Sequence, residues 1–534
     1  MSSTAPVQRA TGWAVPLLVL ILGMFLAVLG SSIVNVAIPY IQNGLGVDPD
    51  SVHWVSTGYL LTQGVAVPLS GWLSTRLGLT RVFTIGLVVF TVATLLCGIA
   101  WDLTSLLIFR SMQATPGGIL PVVALTLLYR LVPPNQIGMA MGLYGFGVIL
   151  APALGPACGG WLVQQVGWQW IFFAMVPLGV LAVIASLVAF PRVTQSDRPR
   201  FDLLGYVTIA AGLICLMLAA DRGVKWGWTS YPILMLATAS LLLLALFVVI
   251  ELEVKTPLID LRVFNNRVFP VAIVLTAVNS LGLFALLYYV PQFLLGNQDY
   301  QAFHAGLLLL PSALAMAVMA PFAGRLYDRF GGRWPGAIGL TIAAYGSFLL
   351  AGLTPDVPKG QLILWTTVRS IGVGLSMMPV MTTGIAALPV ALVSSGSTMS
   401  NVALRVASSL GIGGLGGLLT AHVAQLLADR GGASTGAPRD PARLLPIYLE
   451  LNRGVTTTAY ANGFYLVGLI TLGGAVLAVL LPSGRPAAAQ RPAAPPRPAA
   501  APAPPQPAAS PAQAPAGRPD PERSRLAGTT GRHR

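Results

Sequence analysis

Apolar positions along this chain gather into about fourteen long runs, each near the roughly 20 residues that an α-helix needs to cross hydrocarbon. They cover 13–41, 52–73, 81–101, 104–131, 136–163, 169–191, 203–220 and 231–251, then 268–295, 303–326, 335–353, 361–387, 394–421 and 460–481. Short polar breaks separate them, apart from one long break at 422–459. The pattern predicts an all-α polytopic membrane protein. Composition agrees: only 9% of the 534 residues are charged, where soluble chains carry about 25%, so the surface cannot face water all round. The first run is too long for the apolar core of a signal peptide and reads as a retained helix.

Charge then orients the helices. The net charge of +14 does not form a nucleic-acid patch, because the basic residues punctuate loops. Loops on one side hold Arg76, Arg81, Arg130, Arg192, Arg198, Arg200, Lys255, Arg262, Arg267, Arg325, Arg329 and Arg333. Short loops on the other side hold Arg222, Lys225 and Lys359. This asymmetry predicts cytoplasmic N- and C-termini. Residues 1–12 form the N-terminus, and 482–534, rich in Pro and Ala, read as a disordered cytoplasmic tail. Cys97, Cys158 and Cys215 lie inside apolar runs and read as small core residues.

Two unlike motifs recur in the same order. "GWLSTRLGLTR" (Gly71–Arg81) returns as "GRLYDRFGGR" (Gly324–Arg333), 253 residues later. Arg110 in "LLIFRSMQATPGG" returns as Arg369 in "LWTTVRSIGVG", 259 residues later. Near-equal spacing implies a duplicated six-helix lobe, with one copy at 13–191, the other at 268–481, and two helices inserted at 192–267. The inserted pair is expected to be peripheral.

"SSIVNVAIP" (Ser31–Pro39), "APALGPACGGWL" (Ala151–Leu162), "GWQWIFFAMVPLG", "DRGVKWGW" and "TPLIDLRVF" join these repeats in resembling one family. Residues 13–481 resemble the major facilitator superfamily, specifically its fourteen-helix EmrB/QacA-type drug:proton antiporters. The resemblance implies two six-helix lobes plus two inserted helices, amphiphilic small-molecule substrates, and a proton gradient in place of any cofactor or metal. It also implies an EmrA-like periplasmic adaptor where the cell has two membranes; arginine-rich, lysine-poor usage points to a GC-rich bacterial genome. Import or facilitated flux of an anionic metabolite is the alternative, as is a non-transporting sensor of the same fold. An enzyme is disfavoured, since no HExxH occurs and the histidines are not clustered.

The resemblance assigns a cytoplasmic gate to Gly71, Arg76, Gly78 and Arg81, and to Gly324, Asp328, Arg329, Gly331 and Arg333. Gly78 and Gly331 suit tight turns, and Asp328 is expected to meet Arg329, Arg333 or the N-terminus of the eleventh span. Thr75 stands at the aspartate's place in the first copy. Pro152, Gly155, Pro156, Gly159 and Gly160 match the exporter motif of the fifth span, expected at the seam between lobes, with simple close packing as the other reading.

Arg110 lies eight residues past Asp102, about 12 Å into the bilayer at 1.5 Å per residue, and Arg369 is equally deep after Gln361. Arg405 is deeper still. Buried arginines there imply a site, or else guanidiniums tied to backbone carbonyls. Related sequences usually place an aspartate where this chain has Gly30. All acidic residues read as lying in loops, the tail or helix ends, so the expected cavity offers arginines but no carboxylate. Ser31, Ser32, Asn35, Gln113, Asn279, Gln292 and Asn401 complete its polar wall. Such a cavity suits neutral or anionic amphiphiles better than quaternary cations, and leaves His53, His304 or the substrate's own acid to carry a proton.

Overall fold

The computed structural model describes residues 12–190, 200–298, 300–432 and 441–482. The N-terminal residues 1–11, the loop with Arg192 and Arg198, and the Pro/Ala-rich tail lie outside the described residues. Within them the chain is helical throughout. The first lobe comprises α1 (Ala14–Leu45), α2 (Pro49–Ala66), α3 (Leu69–Leu77), α4 (Leu79–Gly98), α5 (Leu103–Leu131), α6 (Ile137–Gln165), α7 (Trp170–Phe173) and α8 (Met175–Ala189). The inserted pair is α9 (Leu203–Trp226) and α10 (Tyr231–Glu253). The second lobe comprises α11 (Val268–Asn297), α12 (Ala302–Phe330), α13 (Arg333–Leu350), α14 (Lys359–Ala386), α15 (Val393–Gly432) and α16 (Pro441–Ala478).

Twelve of the described helices are long and apolar enough to cross a membrane. The other two expected spans are the α2–α3 pair and α13. The second span breaks where Pro68 stands between α2 and α3, because proline supplies no N–H and its ring crowds the preceding turn. The long break expected at 422–459 is largely helical instead. α15 runs on to Gly432 and α16 begins at Pro441, since Val423, Leu426 and Leu427 keep helical spacing past His422 despite the polar residues among them.

Caps set the helix starts. Asp48 accepts the Ser51 N–H at 2.8 Å at the start of α2. Asp102 and Ser105 form a reciprocal capping box at the start of α5. Bonds from these serines hold both carboxyls below the usual carboxylate range.

Each lobe has its own core. Leu26, Phe83, Phe90 and Phe172 are fully buried in the first; Tyr289, Phe293 and Phe464 in the second. The lobes meet chiefly along α6 and α12, with α15 against α5 and α3 on the other flank. α10 packs on α9 and otherwise exposes its leucines, as a lipid-facing helix does. α9, however, is not peripheral. It lies against both α2 and α15, and small residues make that approach feasible. A Cβ on Gly413 would meet the Ala220 carbonyl, and one on Gly64 would meet Met217 Sδ at 2.8 Å.

Candidate functional site

A cavity of about 490 Å³ opens between the lobes, walled by α1, α2, α5, α6, α9, α11, α12, α14 and α15. Most of its surface is apolar, with Leu283, Phe284, Met316 and Met377 among the side chains that line it. Polar atoms are few and placed. Asn35 Oδ1 accepts from Ser56 Oγ at 2.9 Å, and Ser31 Oγ donates to the Val28 carbonyl at 2.7 Å. Arg405 Nη1 donates to Gln63 Oε1 across the α15–α2 contact.

The same wall contains a carboxylate. Asp221, on α9, accepts from Thr57 Oγ1 at 3.2 and 3.3 Å. His53 Nε2 lies 3.6 Å away and Arg222 Nε 3.5 Å away. This corrects the expectation of a cavity without acid. The seventh span was ended at 220, one residue short, whereas α9 continues to Trp226 and turns Asp221 inward. With it falls the argument against cationic substrates.

Only part of the expected polar wall lines the cavity: Ser31, Asn35 and Arg405, with Pro152 and Pro156. Arg110 is 1% exposed and sits behind the wall. Its Nη1 donates to the Gly30 carbonyl at 3.0 Å and to Gln113 Oε1 at 2.6 Å, and its guanidinium lies 3.9 Å from the centre of the Tyr59 ring. Gln113 in turn donates to Thr94 Oγ1 at 2.6 Å. Arg369, equally buried, donates to the Gly282 carbonyl at 2.5 Å and to Ser347 Oγ at 2.9 Å. Each lobe thus ties its arginine to a glycine carbonyl of its own first helix, a structural tether that offsets the cost of burying the charge. The space a side chain would need at Gly30 is taken: a Cβ there would meet Phe90 Cζ at 3.0 Å.

The remaining positions also point elsewhere. Asn279 accepts from Ser376 Oγ at 2.8 Å, Asn401 donates to the Ser397 carbonyl at 2.9 Å, and Gln292 is exposed off the cavity. Ser32 faces α6, where a Cβ on Gly155 would lie 2.0 Å from its Oγ; a Cβ on Gly159 would meet Ile33 at 2.7 Å, and one on Gly160 Val36 at 3.7 Å. The exporter-motif glycines therefore let α6 nest on α1 within one lobe. The seam itself uses earlier glycines of α6: Gly138 and Gly142 meet the carbonyls of Gly324 and Ala320 on α12.

At the end of the bundle carrying the arginine-rich loops, the two lobes are bonded to each other. Asp328 reaches across the seam and accepts the N–H groups of Gly138 and Met139 at 2.7 and 2.8 Å. Its partner is the N-terminus of α6, not that of the eleventh span. Arg329 and Arg333 stack over Phe330 and Trp334. In the first copy Arg76 stacks over Trp72, and Thr75 bonds back to the carbonyls of Gly71 and Trp72 in its own helix. Gly78 and Gly331 turn the chain at φ 90° and 76°, a region that favours glycine, and Arg81 follows in the first turn of α4.

Two helical lobes around a central cavity, latched at one end, define a membrane transporter rather than an enzyme. Residues 20–412 match the family model of the major facilitator superfamily. The chain belongs to that superfamily, on its EmrB-type branch. It is 34% identical over 395 residues to the uncharacterized transporter YhcA of Bacillus subtilis, covering 74% of each chain. It is 32% identical over 421 residues to the multidrug export protein EmrB of Haemophilus influenzae, covering 76% of this chain and 80% of that one. The tetracenomycin C resistance and export protein of Streptomyces glaucescens is 30% identical, with 78% of this chain and 77% of that one covered. Among solved structures, the proton:xylose symporter XylE shares the fold at a TM-score of 0.57 and 14% identity, with 85% of this chain and 94% of that one covered.

Proposed function

We propose that the protein is a secondary active multidrug efflux transporter that exports amphiphilic small molecules across the bacterial inner membrane by alternating access, driven by the proton gradient. The observation that carries this reading is the mainly apolar cavity between the lobes, latched by Asp328 at the arginine-rich end. The loop asymmetry supports a cytoplasmic position for that end, and with it an outward-facing state ready to release cargo. Leucine and methionine walls accept varied apolar bodies without a fixed hydrogen-bond pattern. The export functions carried in the names of the Haemophilus and Streptomyces relatives support the direction. His53 and Asp221 bring an imidazole and a carboxylate to the cavity where the first helix has only Gly30.

Expression in a bacterial strain deleted for its own multidrug pumps tests this. Cells carrying the protein should hold several-fold less of a lipophilic dye at steady state than cells carrying the empty vector. Equal accumulation across a panel of amphiphiles would remove the reading.

A further inference from the structure

Two opposite charges share the cavity wall, and their positions along the helices set a distance. Thr57, which bonds Asp221, and Gln63, which bonds Arg405, both lie on α2 six residues apart, about 9 Å at 1.5 Å per residue. α15 gives a second ruler. Gly413 packs on Ala220, beside Asp221, and Arg405 lies eight residues before it, about 12 Å along the axis. Leucine, phenylalanine and methionine side chains fill the wall of the same cavity.

Both groups keep hydrogen-bonding capacity beyond what their protein neighbours use. Arg405 donates through Nη1 to a neutral amide, and its Nε has no partner. Asp221 receives one hydroxyl, from Thr57. Arg222 approaches it at 3.5 Å, but its Nε makes no hydrogen bond, its guanidinium lies 5.1 Å from the centre of the Trp54 ring, and it does not line the cavity. The other charged groups facing this region from α2 and α9 are His53, 3.6 Å from Asp221, and Asp50, paired with Lys225. α10 carries no charged side chain before Glu251.

We infer that the cavity is built for an amphoteric amphiphile, with an ammonium group at Asp221 and an acidic group at Arg405, about 9–12 Å apart along an apolar body. A ligand with both groups gains two charge-assisted contacts in a low-dielectric site, whereas a ligand with one gains a single such contact. The inference rests on the efflux reading for its cargo, but its test does not depend on flux.

The experiment is calorimetric titration of the full-length protein in lipid nanodiscs with 9-aminononanoate, nonylamine and nonanoate. The parent protein should bind the amphoteric probe about tenfold more tightly than either singly charged one. Asp221→Asn should bring 9-aminononanoate down to the level of nonanoate and leave nonanoate unchanged, and Arg405→Gln should bring it down to the level of nonylamine. Asp221→Glu should keep most of the preference, which separates charge recognition from misfolding. Equal or undetectable binding of all three probes to the parent protein would overturn the inference, as would full amphoteric preference in Asp221→Asn. A preference without dye efflux in cells refutes only the transport reading; efflux without a preference refutes only this inference.

Discussion

Arg110→Ala is expected to destabilise the protein by about 3–5 kcal/mol, the range for deleting a large, bonded side chain from a close-packed interior. The loss combines the emptied volume beside Tyr59 with the Gly30 carbonyl and Gln113 Oε1 deprived of the guanidinium. Arg110→Met, which fills the space and removes the charge, should cost far less, because a well-packed apolar replacement avoids the desolvation penalty. Arg369→Ala should behave alike through Gly282 and Ser347. The two sites lie in different lobes with no shared partner, so the double variant should show the sum of the single effects. Thermal unfolding of the detergent-purified protein checks all four. A transport defect in Arg110→Ala with unchanged stability would show instead that the arginine acts on substrate.

Asp328→Asn should shift the resting population away from the state described here. The carboxylate accepts two N–H groups at the N-terminus of α6 and is the bond across the seam at that end that carries charge. Charge-assisted bonds of this kind contribute about 1.5–3 kcal/mol, and about 1.4 kcal/mol moves a two-state equilibrium tenfold. Spin labels at Leu77 and Phe330, both exposed at the arginine-rich end of their lobes, would report the separation in a background lacking Cys97, Cys158 and Cys215. A longer-distance component should grow in Asp328→Asn. Thr75→Val should leave the distribution unchanged, because the Thr75 hydroxyl bonds only within its own helix. No shift in Asp328→Asn would mean that the close α6–α12 packing alone closes this end.

How much of this was legible depended on whether the signal was local. The helices follow from apolar run length, and the turns at Gly78 and Gly331 from glycine beside a repeated arginine motif; both need only neighbouring residues. The depth of Arg110 and Arg369 was equally readable, but their acceptors are backbone carbonyls of Gly30 and Gly282, which leave no mark in side-chain pattern. Asp328 showed its type and place, yet its partner lies 190 residues away on another lobe. Facing was the hardest feature. α5 and α11 have no single polar face, so nothing in periodicity says that Gln113 and Asn279 turn from the cavity. Asp221 was missed for a smaller reason: a polar pair, Asp221–Arg222, ended the apolar run, whereas the helix continued one more turn and a half through Gly223, Val224 and Trp226.

The central claim is that the cavity moves amphiphiles out of the cell at the expense of a proton gradient. Everted membrane vesicles holding the protein test it directly, because their outward-facing surface is the cytoplasmic one. On energising with a proton gradient, acid inside, a fluorescent lipophilic amphiphile should accumulate in vesicles with the parent protein and leak back when the gradient is collapsed. Asp328→Ala vesicles should accumulate it more slowly. Uptake in parent vesicles that is no greater than in vesicles without the protein, or that is indifferent to the gradient, would contradict the account.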